Sequence, residues 1–153
     1  MKRKTSFLMI VLICLILTGC NNGFAEREYD SDDKISQMED RYTKNVSVFN
    51  TIDGGFSLTV SGFDGRETLW SDIIEKNQDI EMEISFSLSE GRAKIVHIDE
   101  EGNVTTIIEC LPETSTDGFV TETVSLKKGE NRLKIVGYDC DDVELEVLFE
   151  DPQ

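Results

Sequence analysis

The chain has 153 residues and carries 31 Asp and Glu against 15 Lys and Arg, a formal net charge of −16. Nucleic-acid binding is excluded, because phosphate contacts need clustered cations, and the charge offers no attraction to anionic lipid heads. The length fits one domain, and a hydrophobic content of 39% is enough to pack a core.

Lys2, Arg3 and Lys4 make a positively charged start, and Phe7 to Leu17 is an unbroken run of eleven apolar residues. A membrane-spanning helix needs about 20, so this run has the length of the apolar centre of a secretory signal peptide. Leu17-Thr18-Gly19-Cys20 follows directly. A branched apolar residue, two small residues and a Cys at this point resemble the lipobox of bacterial lipoproteins. The resemblance implies diacylglyceryl transfer to the Cys20 thiol and cleavage between Gly19 and Cys20. Small residues let a peptidase approach the backbone, and the sulfur is the nucleophile that can carry the lipid. Residues 1–19 are then a signal peptide. Two acyl chains, at roughly 0.8 kcal/mol per buried methylene, make a stable anchor. The expected location is the extracytoplasmic face of a cell membrane, with the membrane as partner through Cys20.

Residues 20–45 read as the lipidated Cys followed by a polar tether. Asn21 to Asn45 is rich in charge, with Asp30-Ser31-Asp32-Asp33 at its centre, and is expected to bury little. Ile35, Met38 and Tyr42 recur at helical spacing and allow one short helical piece.

From Val46 the pattern changes to period two. Phe56, Leu58 and Val60 alternate with Ser57, Thr59 and Ser61, and Ile80, Met82, Ile84, Phe86 and Leu88 alternate with Glu81, Glu83, Ser85, Ser87 and Ser89. Val143, Leu145, Val147 and Phe149 repeat the pattern against Glu144, Glu146 and Glu150, with Leu148 the exception. Side chains on a strand point alternately to opposite faces, so each strand has one oily and one wet face. In Glu67 to Asn77, Leu69, Trp70, Ile73 and Ile74 suit either a one-turn helix or a bent edge strand, and the strand is preferred because the neighbours are strands. Glu100-Glu101-Gly102-Asn103 and Lys128-Gly129-Glu130-Asn131 each lie between a pair of strands and read as hairpin turns. Asp64-Gly65 and Glu90-Gly91 are further turn signals, and Pro112 to Gly118 is a loop. About eight short strands predict an all-β fold over residues 46–151: an antiparallel β-sandwich, jelly-roll-like or immunoglobulin-like. The segment Val124 to Ile135 looks like a hairpin common in sugar-binding jelly rolls, and the mature region resembles small surface lipoproteins of Gram-positive bacteria. That resemblance implies a location and a fold, and no activity.

Of the four cysteines, Cys14 lies in the leader and Cys20 carries the lipid. Cys110 and Cys140 each end a predicted strand. A disulfide between them is compatible with an oxidising compartment if those strands are neighbours; two buried thiols are the alternative. Two Cys and a single His make no tetrahedral zinc site.

His97, the only His, shares a strand face with Asp99. An Asp-oriented general base is one reading, but no nucleophile elbow accompanies it, and a strand His beside a turn carboxylate is the simpler account. Asp139, Asp141, Asp142 and Glu144 lack EF-hand spacing and read as a solvated turn. Glu81 with Glu83, and Glu144 with Glu146, have the spacing of a glycosidase pair, yet serve solubility more simply. Trp70, with Phe63, Tyr138 or Phe119, offers a flat ring for a sugar, with Asp72, Arg66 and Asn77 available to its hydroxyls; a core Trp is the competing account. No phosphate loop or dinucleotide fingerprint occurs, so no cofactor is expected. The expectation is a non-enzymatic, lipid-anchored interaction or accessory module of the cell envelope with a protein or carbohydrate partner. The alternatives are a carbohydrate-binding-like module using Trp70, Asp72 and Arg66, and an envelope hydrolase using His97 and Asp99.

Overall fold

The computed structural model describes residues 23–150. Cys20, and with it the expected leader and lipidation site, lies outside the described residues. Two short helices come first, α1 (Gly23–Tyr29) and α2 (Asp32–Ile35). Ten strands follow: β1 (Arg41–Thr43), β2 (Val46–Ile52), β3 (Gly55–Ser61), β4 (Phe63–Ile74), β5 (Gln78–Ser87), β6 (Glu90–Ile98), β7 (Val104–Cys110), β8 (Val120–Leu126), β9 (Gly129–Asp141) and β10 (Val143–Phe149). They build two five-stranded antiparallel sheets, one in the order β1-β4-β9-β6-β7 and the other β2-β3-β10-β5-β8. The all-β sandwich is therefore observed, with ten strands where the alternation counts about eight.

The core lies between the sheets. Ile80, Met82, Ile84 and Phe86 of β5 face Ala93, Ile95, Leu133 and Ile135 of the opposite sheet, and all are buried. The intervening Glu81 is exposed and Glu83 half-buried, as the period of two requires.

Turn chemistry is right about local geometry and misleading about connection. Only β2–β3 and β6–β7 are hairpins within one sheet; every other connection passes to the opposite sheet. Lys128-Gly129 is such a crossing. Gly129 has φ +107°, and a Cβ there would meet the Glu100 carboxylate at 1.5 Å. Yet β9 pairs with β4 and β6, not with β8. The expected hairpin of residues 124–135 is thus corrected to a corner between layers. Asp64-Gly65 is likewise no turn, but a register shift inside β4.

The largest departure concerns the polar N-terminal stretch. Val96, Ile98 and Val136 point away from the core, so the β1-β4-β9-β6-β7 sheet is apolar on both faces and needs a second cover. Residues 28–40 supply it. Tyr29 and Ile35 are buried on those valines and Ile98, at 1% and 0% exposure, so the expectation that this stretch buries little fails there. Of the three residues at helical spacing only Ile35 is covered; Met38 and Tyr42 are exposed.

Charge completes the fit. Residues 26–40 hold seven acidic groups and two basic ones, and the face beneath presents Arg66, Arg92, Lys94, Arg132 and Lys134. Arg66 pairs with Glu28 and donates to Gln37 Oε1 at 2.8 Å. Arg132 donates to the carbonyls of Ser36 and Gln37 at 3.0 and 3.2 Å. Lys134 Nζ, fully buried, donates to Gln37 O at 2.7 Å and Asp40 Oδ1 at 3.0 Å. Arg92 and Lys94 lie over the Tyr29 ring at 4.2 and 4.6 Å. Burial lowers the Lys134 pKa, and Asp40 opposes that. Burial raises the Asp40 carboxyl, but hydrogen bonds from Thr68 and Lys134 prevail and hold it below its ordinary value.

Candidate functional site

The trio expected to bind a sugar is not brought together. On β4, Thr68 pairs with Lys134 but Trp70 pairs with Leu133, so one extra residue, Leu69, is bulged out. The bulge turns Trp70 to the inner face while Arg66 stays on the outer one. Trp70 is half-buried against the core, its ring 5.5 Å from that of Phe149. Arg66 is sealed beneath Glu28. Asp72 is exposed and accepts from the backbone N–H of Ile73 at 2.8 Å. Phe63 is fully buried, and Tyr138 packs with the N-terminal cover. Trp70 packs against the sandwich core, away from Arg66.

The cysteines are also apart. Both are buried and free, and β6 lies between β7 and β9. Two strand spacings, about 9–10 Å, exceed the Cα separation a disulfide spans, so the disulfide option is corrected to two thiols. Burial pushes the Cys140 thiol up to about 12 and raises that of Cys110, which suppresses thiolate chemistry.

The acidic residues of the β9–β10 corner act as struts. Asp141 Oδ1 accepts from Ser61 Oγ at 2.5 Å and Gly62 N at 3.2 Å, and Asp142 Oδ2 accepts from Ser89 Oγ at 3.1 Å. Glu144 and Glu146 stand across from Ser87 and Ser85 on the outer face of the second sheet. That register places serines between the like charges of β10 and β5.

His97 leads to a concave polar surface. It projects from β6 toward the sheet interior and is 5% exposed. Asn131 fixes its proton: Asn131 Nδ2 donates to the carbonyls of Lys127 and Gly129, and its Oδ1 accepts from Lys127 N. The oxygen that meets His97 Nε2 at 2.9 Å is therefore an acceptor, and Nε2 carries the hydrogen. Asp99 does not orient the ring through a hydrogen bond. It brackets the β6–β7 turn, accepting from Asn103 Nδ2 at 2.8 Å, Asn103 N at 2.9 Å and Glu101 N at 3.0 Å. Slight burial raises its pKa, but those bonds, aided by His97, hold it below the ordinary carboxylate value.

His97 and Asp99 line a cleft of about 370 Å³ where the edge strands β7 and β8 gape. Thr105, Thr106, Glu122, Thr123, Ser125 and Lys127 complete its polar wall. A second hollow of about 550 Å³ shares Asp99 and Lys127 and is bounded by Asn77, Glu100, Glu101, Asn103 and Lys128. Thr105 and Thr106 thus lie in one cleft with two acceptor carboxylates, Asp99 and Glu122, and one ammonium donor, Lys127. Glu122 is the residue that sequence reading missed, though a signal existed. Val120, Val124 and Leu126 set the apolar phase of β8, and Glu122 stands in that phase, opposite buried Met82. A charged residue on the oily side of a strand marks an opening in the core.

No family model and no curated protein matches the chain. Similar solved structures include a carbohydrate-binding module (CBM6cm-2) from Cellvibrio mixtus lichenase 5A in complex with cellotriose, at 13% identity and TM-score 0.41, with 74% of this chain and 91% of that one covered. A family 29 carbohydrate-binding module aligns at 12% identity and TM-score 0.42, covering 72% and 73%. An exo-β-1,3-galactanase from Phanerochaete chrysosporium aligns at 12% and 0.41, over 73% of this chain and 27% of that one. Likeness at this level carries no argument about a ligand.

Proposed function

We propose that this protein is a non-enzymatic binding module held by an acyl anchor at Cys20 on the outer side of a bacterial membrane, taking a polyhydroxylated, carbohydrate-like ligand. The anchor rests on the lipobox-like Leu17-Thr18-Gly19-Cys20 behind its basic and apolar leader. The single observation that carries the binding reading is the cleft between β7 and β8, whose polar lining includes Thr105, Thr106, Asp99, Glu122 and Lys127. A neutral polyol offers the same mixed donors and acceptors in return. The non-enzymatic reading is supported by His97, whose Nε2 is spent on Asn131, and by Asp99, which is spent on its own turn.

Calorimetric titration with a panel of neutral and acidic oligosaccharides tests the ligand class. Saturable binding that weakens at least tenfold in both Glu122→Ala and Lys127→Ala, with unchanged circular dichroism, is the expected result. Binding that ignores both substitutions refutes the cleft. Mass spectrometry of membrane-extracted protein tests the anchor: acylation at Cys20 with loss of residues 1–19 is expected, and an unmodified chain retaining Met1 contradicts it.

A further inference from the structure

A sheet edge is a row of unpaired N–H and C=O groups, and folded proteins guard such edges with charge, brevity or bulges. This sandwich has four. The β1 edge is three residues long and carries Arg41. The β7 edge has a register shift against β6 and carries Glu109, and the β8 edge carries Glu122. The fourth edge, β2, is seven residues long, pairs without a register shift and has no charged residue at all: Val-Ser-Val-Phe-Asn-Thr-Ile. Val46, Val48 and Phe49 on it are 66%, 51% and 47% exposed. In a chain of net charge −16, an uncharged, apolar, unguarded strand of this length stands apart.

The strand is also complementary to its own reverse. Laid antiparallel against a second copy with Phe49 opposite Phe49, it sets Val46 against Ile52, Ser47 against Thr51 and Val48 against Asn50. Phe49 then meets Phe49, Val46 meets Ile52, hydroxyl meets hydroxyl and Val48 meets the Asn50 amide, and since directly opposed residues share a face, the inner and outer faces of the two sheets stay continuous. The flanking charges are opposite in sign. Lys44, held by Glu67 at 2.7 Å, comes to the same end of the ribbon as Asp53 of the other copy.

We propose that β2 is a homodimerisation edge, through which two copies of this chain pair antiparallel about Phe49 and join their five-stranded sheets into one of ten. Charge opposes the association, so added salt strengthens it by screening the two acidic bodies. An interface made by ion pairs would weaken instead.

Site-directed crosslinking of the full chain in its native membrane tests this. Opposed residues in an antiparallel pair have Cα atoms about 4.5 or 5.5 Å apart, within disulfide reach. Phe49→Cys should therefore give a covalent dimer under mild oxidation. Val48→Cys and Asn50→Cys should crosslink weakly alone and strongly when co-expressed. Thr59→Cys, on β3 behind the edge, should not crosslink. Detergent-solubilised wild type should sediment as a dimer whose affinity rises at least threefold between 50 and 500 mM salt, and Phe49→Lys should sediment as a folded monomer. A monomeric wild type refutes the proposal, as does crosslinking at Thr59→Cys equal to that at Phe49→Cys. Exclusive capture of a different protein by Phe49→Cys refutes it also.

Discussion

Ile35→Ala separates a structural cover from a mere spacer. Ile35 is 0% exposed beneath the N-terminal segment, packed with Tyr29, Val96, Ile98 and Val136. The substitution removes three carbons, worth roughly 0.8 kcal/mol each in transfer alone. The residual cavity adds to this, and such substitutions cost about 2–5 kcal/mol overall. Ile35 ends a four-residue helix on the molecular surface, so the site can partly collapse, and the expected loss is about 3 kcal/mol. For a domain of this size that lowers Tm by about 10 °C. Urea unfolding followed through the single Trp, Trp70, which packs half-buried against the core, reads the loss if cover and sandwich unfold together. Met38→Ala is the control, because Met38 belongs to the same sequence pattern but is 64% exposed; a change under about 0.5 kcal/mol is expected there. If the two variants are indistinguishable, the segment does not act as a cover and the reasoning fails.

Three other outcomes follow from the same geometry. Asp40→Asn leaves the buried Lys134 ammonium with neutral oxygen acceptors and no counter-charge, and because Asp40 is 31% exposed the cost is about 1–2 kcal/mol rather than the full buried-pair penalty. The Asp40 carboxyl is held below its ordinary 3.8 in the folded state, so its contribution is complete above that pH and is lost as pH falls through the folded value. The Tm gap between wild type and Asp40→Asn should therefore close below pH 3.8, and a gap constant down to pH 2 contradicts the assignment. Native protein should show no rapid thiol titration at Cys110 or Cys140, and reducing agent should leave Tm unchanged; a reductant-sensitive Tm would restore the disulfide. Gly91→Ala should destabilise by more than about 2 kcal/mol in urea titration, since Gly91 has φ +79° and a new Cβ would meet the backbone oxygen of Asp139 at 2.2 Å; a neutral result overturns the claim that this crossover is tight.

How much was legible in the sequence depends on the range of the interaction. Period-two alternation from Phe56 to Phe149 determined the strands and which side chains enter the core, because a pleated backbone leaves no other way to bury every second residue. Gly129 and Gly91 marked real bends for the same local reason. The expectation of one oily and one wet face per strand failed at Ile95-Val96 and Ile135-Val136, adjacent apolar pairs on a sheet covered on both faces. What covered it was not legible: an acidic segment looks solvated until five cations on a distant face are placed beneath it. Layer assignment, the bulge at Leu69 that turned Trp70 inward, and the strand between Cys110 and Cys140 belong to the tertiary structure alone. Each depends on which strands lie side by side, and that is decided by the packing of surfaces far apart in the chain, where local pattern carries no record.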